Sequence, residues 1–334
     1  MPWTQIVADA NSGVTGDNPR ELTYQQAIKE TLDHVMAHDD KIVIMGQSVA
    51  EEGFMYGTTE GLEEKYGKSR VIETPIAEQM TTNMALGMSM TGYKPIVCHM
   101  RCDFLLKSAD EILNHIAHYK EVFGVDTPII IRAVIGQGWG SGFQHANNYA
   151  RIFAGYDGLD VIMPSSPYEY KGMFIQALQN RKPTLIIEHR WLYKDTGYVP
   201  EGLYNRNYNP EEYCVQRNIK LAIITNSLSF TRIRSLIDGK EFDSVSLIDI
   251  KHVRGFRRHE VDDMFKNVYK ILFIENGAVP FGIGAEIIAS IAEVSPNKIF
   301  KRIGWKSDTV TANNEDHVYL SDEEILNTIK EMIK

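Results

Sequence analysis

Two hydrophobic patterns alternate along this chain. Short, nearly continuous apolar runs are separated by longer segments in which apolar positions return every three or four residues. The first helical stripe is Ala27, Ile28, Leu32, Val35 and Met36, and Thr23 with Gln26 has the spacing of a capping box, so a helix is expected over about 24–37. Lys41–Gly46 reads as a buried strand, Glu78–Met90 as a helix whose small residues Ala85, Gly87 and Ser89 permit close packing against another helix, and Pro95–Cys98 as a short strand. A helix over about 108–122, strands at Pro128–Val134, Leu159–Met163 and Thr184–Glu188, and a helix over about 168–180 follow. A run as apolar as Pro128–Val134 is what a parallel sheet buried on both faces requires. Strands alternating with helices of this length imply right-handed crossovers.

The pattern then breaks and resumes. From His189 to about Arg217 the chain is polar, with Pro200, Pro210 and two glycines, and reads as a linker laid over a surface. Strand candidates return at Lys220–Thr225, Ser244–Ile250, Tyr269–Glu275 and Lys298–Arg302, separated by helix candidates near 227–237, 258–267 and 282–293. Ser321 and Glu324 make a second capping box, so a last helix is expected over about 322–333. The reading is an α/β protein with two open, mostly parallel-sheet domains, at 1–188 and 218–334, joined by 189–217.

With 334 residues, each domain can have a core of its own. Three cysteines, Cys98, Cys102 and Cys214, are too few and too scattered for a disulfide framework and point to a reducing compartment. Met1-Pro2-Trp3-Thr4 carries no basic flank or apolar run, so neither a secretory leader nor a membrane span is expected and the working location is the cytoplasm. A net charge of -9 gives no broad footprint for nucleic acid. One basic cluster, Lys251, His252, Arg254, Arg257 and Arg258, is either a solvated turn or a docking patch.

Three stretches place polar groups where a doubly wound sheet exposes its strand ends. Glu73–Glu78 leads from Val71 into a helix, with Glu78 in the first turn beside Ile76, Ala77, Met80 and Met84. That carboxylate either complements the helix dipole or serves a ligand. Gly136–Gly142 holds four glycines in seven residues directly after a buried strand, which fits a loop that approaches a ligand or another chain closely. Its spacing is not a dinucleotide fingerprint. His145, just beyond, is either a hydrogen-bonded loop histidine or a catalytic group. Cys98-His99-Met100-Arg101-Cys102 has two thiols and an imidazole but no second ligand pair downstream, so no metal site is expected.

These stretches, taken in order, carry a resemblance. Gly61-Leu62 through Tyr66-Gly67, Arg70–Glu78, Gly92 with Pro95-Ile96, Asp103-Phe104, Asn114, Gln144-His145, Gly158-Leu159 with Val161 and Pro164, Glu275-Asn276-Gly277, and Gly282–Glu286 resemble the β chain of the thiamine-diphosphate-dependent 2-oxo acid dehydrogenase E1 component, from about Thr23 to Arg302. The resemblance implies a transketolase-type pyrimidine-binding domain followed by a transketolase C-terminal domain. It also implies an α2β2 assembly with an α-type chain that holds the diphosphate and its Mg²⁺. It places Glu78 on the aminopyrimidine ring, Gln47, Ile76, Met100 and Phe104 around that ring, and His145 near the reacting carbon. The substrate class is then a 2-oxo acid or a ketose, and a lipoyl acyltransferase is the implied acceptor of the acyl fragment.

Some positions depart from the family's pattern. Gln47 stands where a glutamate is usual, Ala146-Asn147 replaces serine-glutamine, and Gly304–Thr309 lacks a proline-rich pattern. Carboligation or ketol transfer, and a silent scaffold, therefore stay open beside the dehydrogenase reading. Lys182 falls near a monovalent-cation site that the resemblance places around Ala177 and Asn180, where its ammonium could stand in for the cation.

Overall fold

The computed structural model describes residues 20–51, 53–208, 211–214, 219–254 and 265–334. The chain divides into two compact units. One takes the described residues up to Ile135 together with Phe153–Asn207; the other takes Gly136–Ile152 with the described residues from Tyr208 to Lys334.

The first unit opens on β1 (Glu21–Thr23), from which helix α1 (Tyr24–His38) starts at the expected capping box: the Thr23 hydroxyl accepts from Gln26 N, and the Gln26 amide oxygen accepts from Thr23 N. Then come β2 (Ile42–Gly46), β3 (Val71–Glu73), α2 (Glu78–Met90), β4 (Lys94–His99), β5 (Ile130–Ile135), β6 (Asp160–Ile162), α3 (Pro167–Asn180), β7 (Thr184–His189) and β8 (Thr196–Tyr198). Six strands form a wholly parallel sheet in the order β3-β2-β4-β5-β7-β6. Strands β2, β5 and β7 are buried at every position, as the continuous apolar runs required. β1 and β8 pair antiparallel as a separate ribbon, and Val199, Leu203 and Tyr204 beyond β8 are buried in this unit.

One expected element takes a different form. Instead of a single helix over 108–122, the chain makes a 3₁₀ segment at Cys102–Ser108, a π-helical turn at Glu111–Ile116 and a short α-helix at Tyr119–Phe123. The apolar stripe is present, but tertiary packing sets the pitch: Ala117 N donates to Ile112 O, one residue beyond the α-helical partner. The Ala117 carbonyl in turn lies where a Cβ on Gly158 would be, so the turn and the start of β6 share one space.

A charged group sits in the core of this unit. Arg132 on β5 and Glu188 on β7 are fully buried and joined by two hydrogen bonds of 2.6 and 3.0 Å. Tyr170 and Tyr193 donate to the same carboxylate, and Arg132 also reaches Thr58 and Cys98. The pair is paired and hydrogen-bonded on all sides, the condition under which buried charges are tolerated.

The second unit contains β9 (Glu211–Cys214), β10 (Leu221–Thr225), α4 (Ser227–Leu236), β11 (Val245–Asp249), β12 (Lys270–Ala278), α5 (Ile283–Val294), β13 (Ile299–Trp305), α6 (Glu315–Val318) and α7 (Asp322–Ile333). Its sheet runs β13-β12-β10-β11-β9, parallel except for β9 against β11. Apolar clusters cover both faces, one beneath α4 and α7 and the other beneath α5. The Ser321–Glu324 capping box opens α7 as expected. The helix candidate at 258–267 and the basic residues Arg257 and Arg258 lie largely outside the described residues. Among the described residues no helix is long and apolar enough to cross a membrane.

Candidate active site

In the first sheet the chain leaves β2 for β3 on one side and then returns to β4 on the other. This reversal opens a crevice at the carboxyl ends of β2 and β4, where sheets of this kind bind ligands. Gly46 closes β2 beside Cys98 with φ +152°, and a Cβ there would overlap the Cys98 carbonyl oxygen, so the close approach of the two strand ends requires glycine. The crevice is open to solvent and is lined by Gly46, Gln47, Ile76, Glu78, Met100 and Phe104, with Thr74, Thr81 and His99 among the others. Five residues expected around one ligand from the sequence, Gln47, Ile76, Glu78, Met100 and Phe104, thus line one space.

Glu78 is delivered there by the geometry of the β3–α2 connection. Thr74 N donates to Gly46 O, anchoring the start of the turn, and Pro75 disfavours helix at Thr74. Ala77 is not helical (φ -151°, ψ 64°), so Glu78 is the first helical residue. Its carboxylate is 12% exposed and Oε2 lies 3.5 Å from Lys107 Nζ, whose ammonium also sits 5.7 Å from the Phe104 ring centroid. Met80 and Met84, expected as part of an apolar surround, instead point outward and are exposed. The helix phase explains this: they share a face with Gln79 and Asn83, away from the buried Thr81, Thr82 and Ala85.

Sequence reasoning missed three members of this site. Glu73, the last residue of β3, accepts hydrogen bonds from the backbone of Ser48 (2.6 Å), Ala50 (2.8 Å) and Glu51 (3.3 Å) and so fixes the loop that begins at Gln47. Lys107 arrives through the 3₁₀ segment, whose path has no sequence signature. His99 is buried at the end of β4 within reach of Thr82, and burial pushes its imidazole down to about 4, so it is neutral at physiological pH. Cys98 is likewise buried, its thiol pushed up to about 11.

His145 belongs to the second unit. Positive φ at Gly138, Gly140 and Gly142 turns the glycine loop so that Gly138 N and Gly140 N donate to the two oxygens of Glu315, at 2.5 and 2.6 Å. His145 N donates to Gly142 O, and Ala146 is buried with Val310 and Val318. Lys182 is in the first unit and pairs with Asp160 at 2.6 Å, and Ala177 is buried.

The second sheet has its own reversal, between β10 and β12. The crevice there is lined by Asn148, Arg151, Asn226, Glu275 and Asn276, with Gly282 and Ile283 at the start of α5. Burial pushes the Glu275 carboxyl up to about 7, opposed by a hydrogen bond from Gly284 N.

Residues 20–196 match the family described as transketolase, pyrimidine binding domain. The chain is 31% identical over 279 residues to a pyruvate dehydrogenase E1 component subunit beta of Staurastrum punctulatum, covering 82% of this chain and 84% of that one. It is 30% identical over 292 residues to the chloroplastic pyruvate dehydrogenase E1 subunit beta-3 of Arabidopsis thaliana, covering 86% and 71%. A third relative, 28% identical over 288 residues, is the beta subunit of acetoin:2,6-dichlorophenolindophenol oxidoreductase of Cupriavidus necator, covering 82% and 85%. The fold is shared with a structure titled split gene transketolase, inactive beta4 tetramer, at a TM-score of 0.75 and 14% identity over 93% of this chain and 98% of that one. The chain belongs to the transketolase pyrimidine-binding-domain family, among the β subunits of 2-oxo acid dehydrogenase E1 components.

Proposed function

We propose that this chain is the β subunit of a heteromeric thiamine-diphosphate-dependent enzyme that decarboxylates a 2-oxo acid and passes on the acyl fragment, and that it acts only with an α-type chain. One observation carries the reading: the crevice at the first sheet's reversal brings a carboxylate, an amide and apolar side chains to one space. Those groups suit an aminopyrimidine ring. Phe104, Met100 and Ile76 offer apolar surface to a planar heterocycle, and Glu78, 12% exposed, offers a carboxyl group to a ring nitrogen.

Bound thiamine diphosphate supplies a carbon nucleophile and an electron sink for loss of CO₂. This chain's residues hold the ring and move protons. Glu78 would hydrogen-bond ring nitrogen N1′ and share or supply a proton there, which would let the ring's exocyclic amino group act as the local base. Lys107, 59% exposed, is held too weakly in an ion pair of this kind to keep that carboxylate from a ligand. Phe104 and Met100 would shield the carboxyl group from water, and Gln47, on the loop held by Glu73, would hydrogen-bond the ring or the substrate. His145 would donate or transfer a proton at the substrate oxygen, in steps after cofactor activation. The diphosphate and Mg²⁺ belong to the α-type chain in an α2β2 assembly, and a lipoyl acyltransferase is the acyl acceptor.

The test is reconstitution. The purified chain alone releases no CO₂ from 2-oxo acids, and addition of an α-type chain with thiamine diphosphate and Mg²⁺ restores release; full activity of the single chain would overturn the proposal. The neutral amide at Gln47, in place of the family's usual carboxylate, favours a second reading, carboligation or ketol transfer. Assaying the reconstituted pair with an artificial electron acceptor and, separately, with an aldehyde acceptor distinguishes the two.

A further inference from the structure

We infer that Glu315 is a positioning residue for His145, and that the segment from Trp305 to Tyr319 is a clamp that fixes the loop carrying it. The inference rests on the role proposed for His145.

The glycine loop has no regular structure to hold it. Gly138, Gly140 and Gly142 adopt the left-handed φ values 84°, 62° and 79°, and such residues are free to leave them unless something over-determines the conformation. Glu315 does so from the far end of the sequence. It is 6% exposed, and each of its two carboxylate oxygens accepts one loop N–H, from Gly138 and Gly140. Hydrogen bonds to an ionised carboxylate are about twice as strong as neutral ones, and successive glycine N–H groups make a concave anion seat that this side chain fills.

A second anchor lies beyond His145. Ala146 is buried in an apolar cluster with Val310 and Val318, against which Trp305 and Tyr319 pack. The Asn147 side-chain amide donates back to the Phe143 carbonyl, and His145 N donates to Gly142 O at 3.3 Å. His145 therefore sits between a polar anchor at 138–140 and an apolar anchor at 146, both made by residues 305–319. Two departures from the family's pattern noted separately in the sequence, alanine at 146 and the region that begins at Gly304, meet in this contact. A serine at 146 would bury a hydroxyl against Val310 and Val318, and alanine fits that apolar face.

Glu315→Gln keeps the shape but turns an NH₂ toward one of the two loop N–H donors, so one bond is lost and a donor is left facing a donor. In the chain with its α-type partner, amide hydrogen exchange of the peptide spanning 137–146 is expected to rise about tenfold or more in E315Q, the equivalent of one charge-assisted bond, with exchange in the two sheets unchanged. Turnover of the reconstituted enzyme falls by about the same factor, mainly in kcat. In a His145→Ala background, E315Q has no further effect on turnover, because the residue acts through His145. Unchanged loop exchange in E315Q overturns the clamp. Faster exchange with an additive loss in the double variant overturns the link to His145. Full turnover by H145A alone would overturn the role proposed for His145, and with it the part of Glu315 in turnover, while the exchange measurement judges the clamp independently.

Discussion

Glu78 occupies the first helical position of α2 with no side chain capping the residue before it, so its own carboxylate is the charge at that helix start. The exposed Lys107 beside it contributes less than about 1 kcal/mol to stability, the usual worth of a pair open to solvent. Glu78→Gln preserves the shape and cannot exchange the proton. It is expected to lower turnover of the reconstituted enzyme by on the order of 10²–10⁴-fold with little change in melting temperature. Hydrogen–deuterium exchange at C2 of bound thiamine diphosphate, followed by NMR at full occupancy, checks this; an unchanged exchange rate returns Glu78 to a plain helix-start role. Glu275 gives a second residue-level prediction, through pH. Its folded pKa of about 7 lies above the unfolded value of 4.5, so the folded state binds the extra proton. The contribution is complete below about pH 4.5 and is lost as pH rises through 7, on the order of 3 kcal/mol across the window. Denaturant unfolding of the second unit should therefore weaken from pH 5 to pH 8, and Glu275→Gln should flatten that slope. At this scale the stretch that holds Glu78 was legible, because strand-end positions follow from the hydrophobic pattern, whereas Gln47 entered only through the family resemblance. The sequence left Glu73, Lys107 and Glu315 hidden, since each acts on backbone or on a side chain that only the tertiary path brings near.

Among the elements, those whose ends are written in local chemistry were the most legible. The capping boxes at Thr23 and Ser321 and the strands Ile42–Gly46, Ile130–Ile135 and Leu221–Thr225 lie within a residue or two of their expected limits. Thr23→Ala should cost about 1 kcal/mol, measurable as a lower unfolding midpoint, because it removes a bond to the first turn of α1. The segment 102–123 was not legible as three pieces, because an apolar stripe of helical period does not tell a π turn from an α turn. Gly158 is the test of that packing. A methyl group there would overlap the Ala117 carbonyl, which is backbone and cannot move aside as a side chain can. Gly158→Ala is expected to destabilise the first unit by about 3 kcal/mol or more, seen as a fall in its unfolding midpoint, and an effect below about 1 kcal/mol would show that the turn adapts. The Lys182 ammonium is 2.6 Å from Asp160 and ties the α3–β7 turn to β6.

The whole molecule repeats one device. Each sheet has a reversal of strand order, between β2 and β4 in one and between β10 and β12 in the other, and each of these opens a crevice at strand ends. Most strands of both sheets were legible because buried strands are apolar throughout, but the short β3, and β9 within the segment expected as a linker, were not. The β1–β8 ribbon was not, since two strands of three residues each carry no periodicity and their partnership spans most of the first unit. That ribbon also constrains the order in which the chain can fold during synthesis. Arg20 donates to Val199 O and Pro200 O, and Tyr24 lies against Tyr193, so the beginning of α1 waits for residues that emerge from the ribosome about 180 positions later. Long-range closures of this kind are slow and leave apolar faces open meanwhile. A fragment of residues 20–189 has every strand of the large parallel sheet, yet it lacks this closing strap and should remain protease-sensitive and aggregation-prone. A fragment of residues 20–207 includes β8, Val199 and Tyr204 and should resist. Completion of the first unit is therefore timed by the strap, and a nascent chain is exposed until it has passed residue 204.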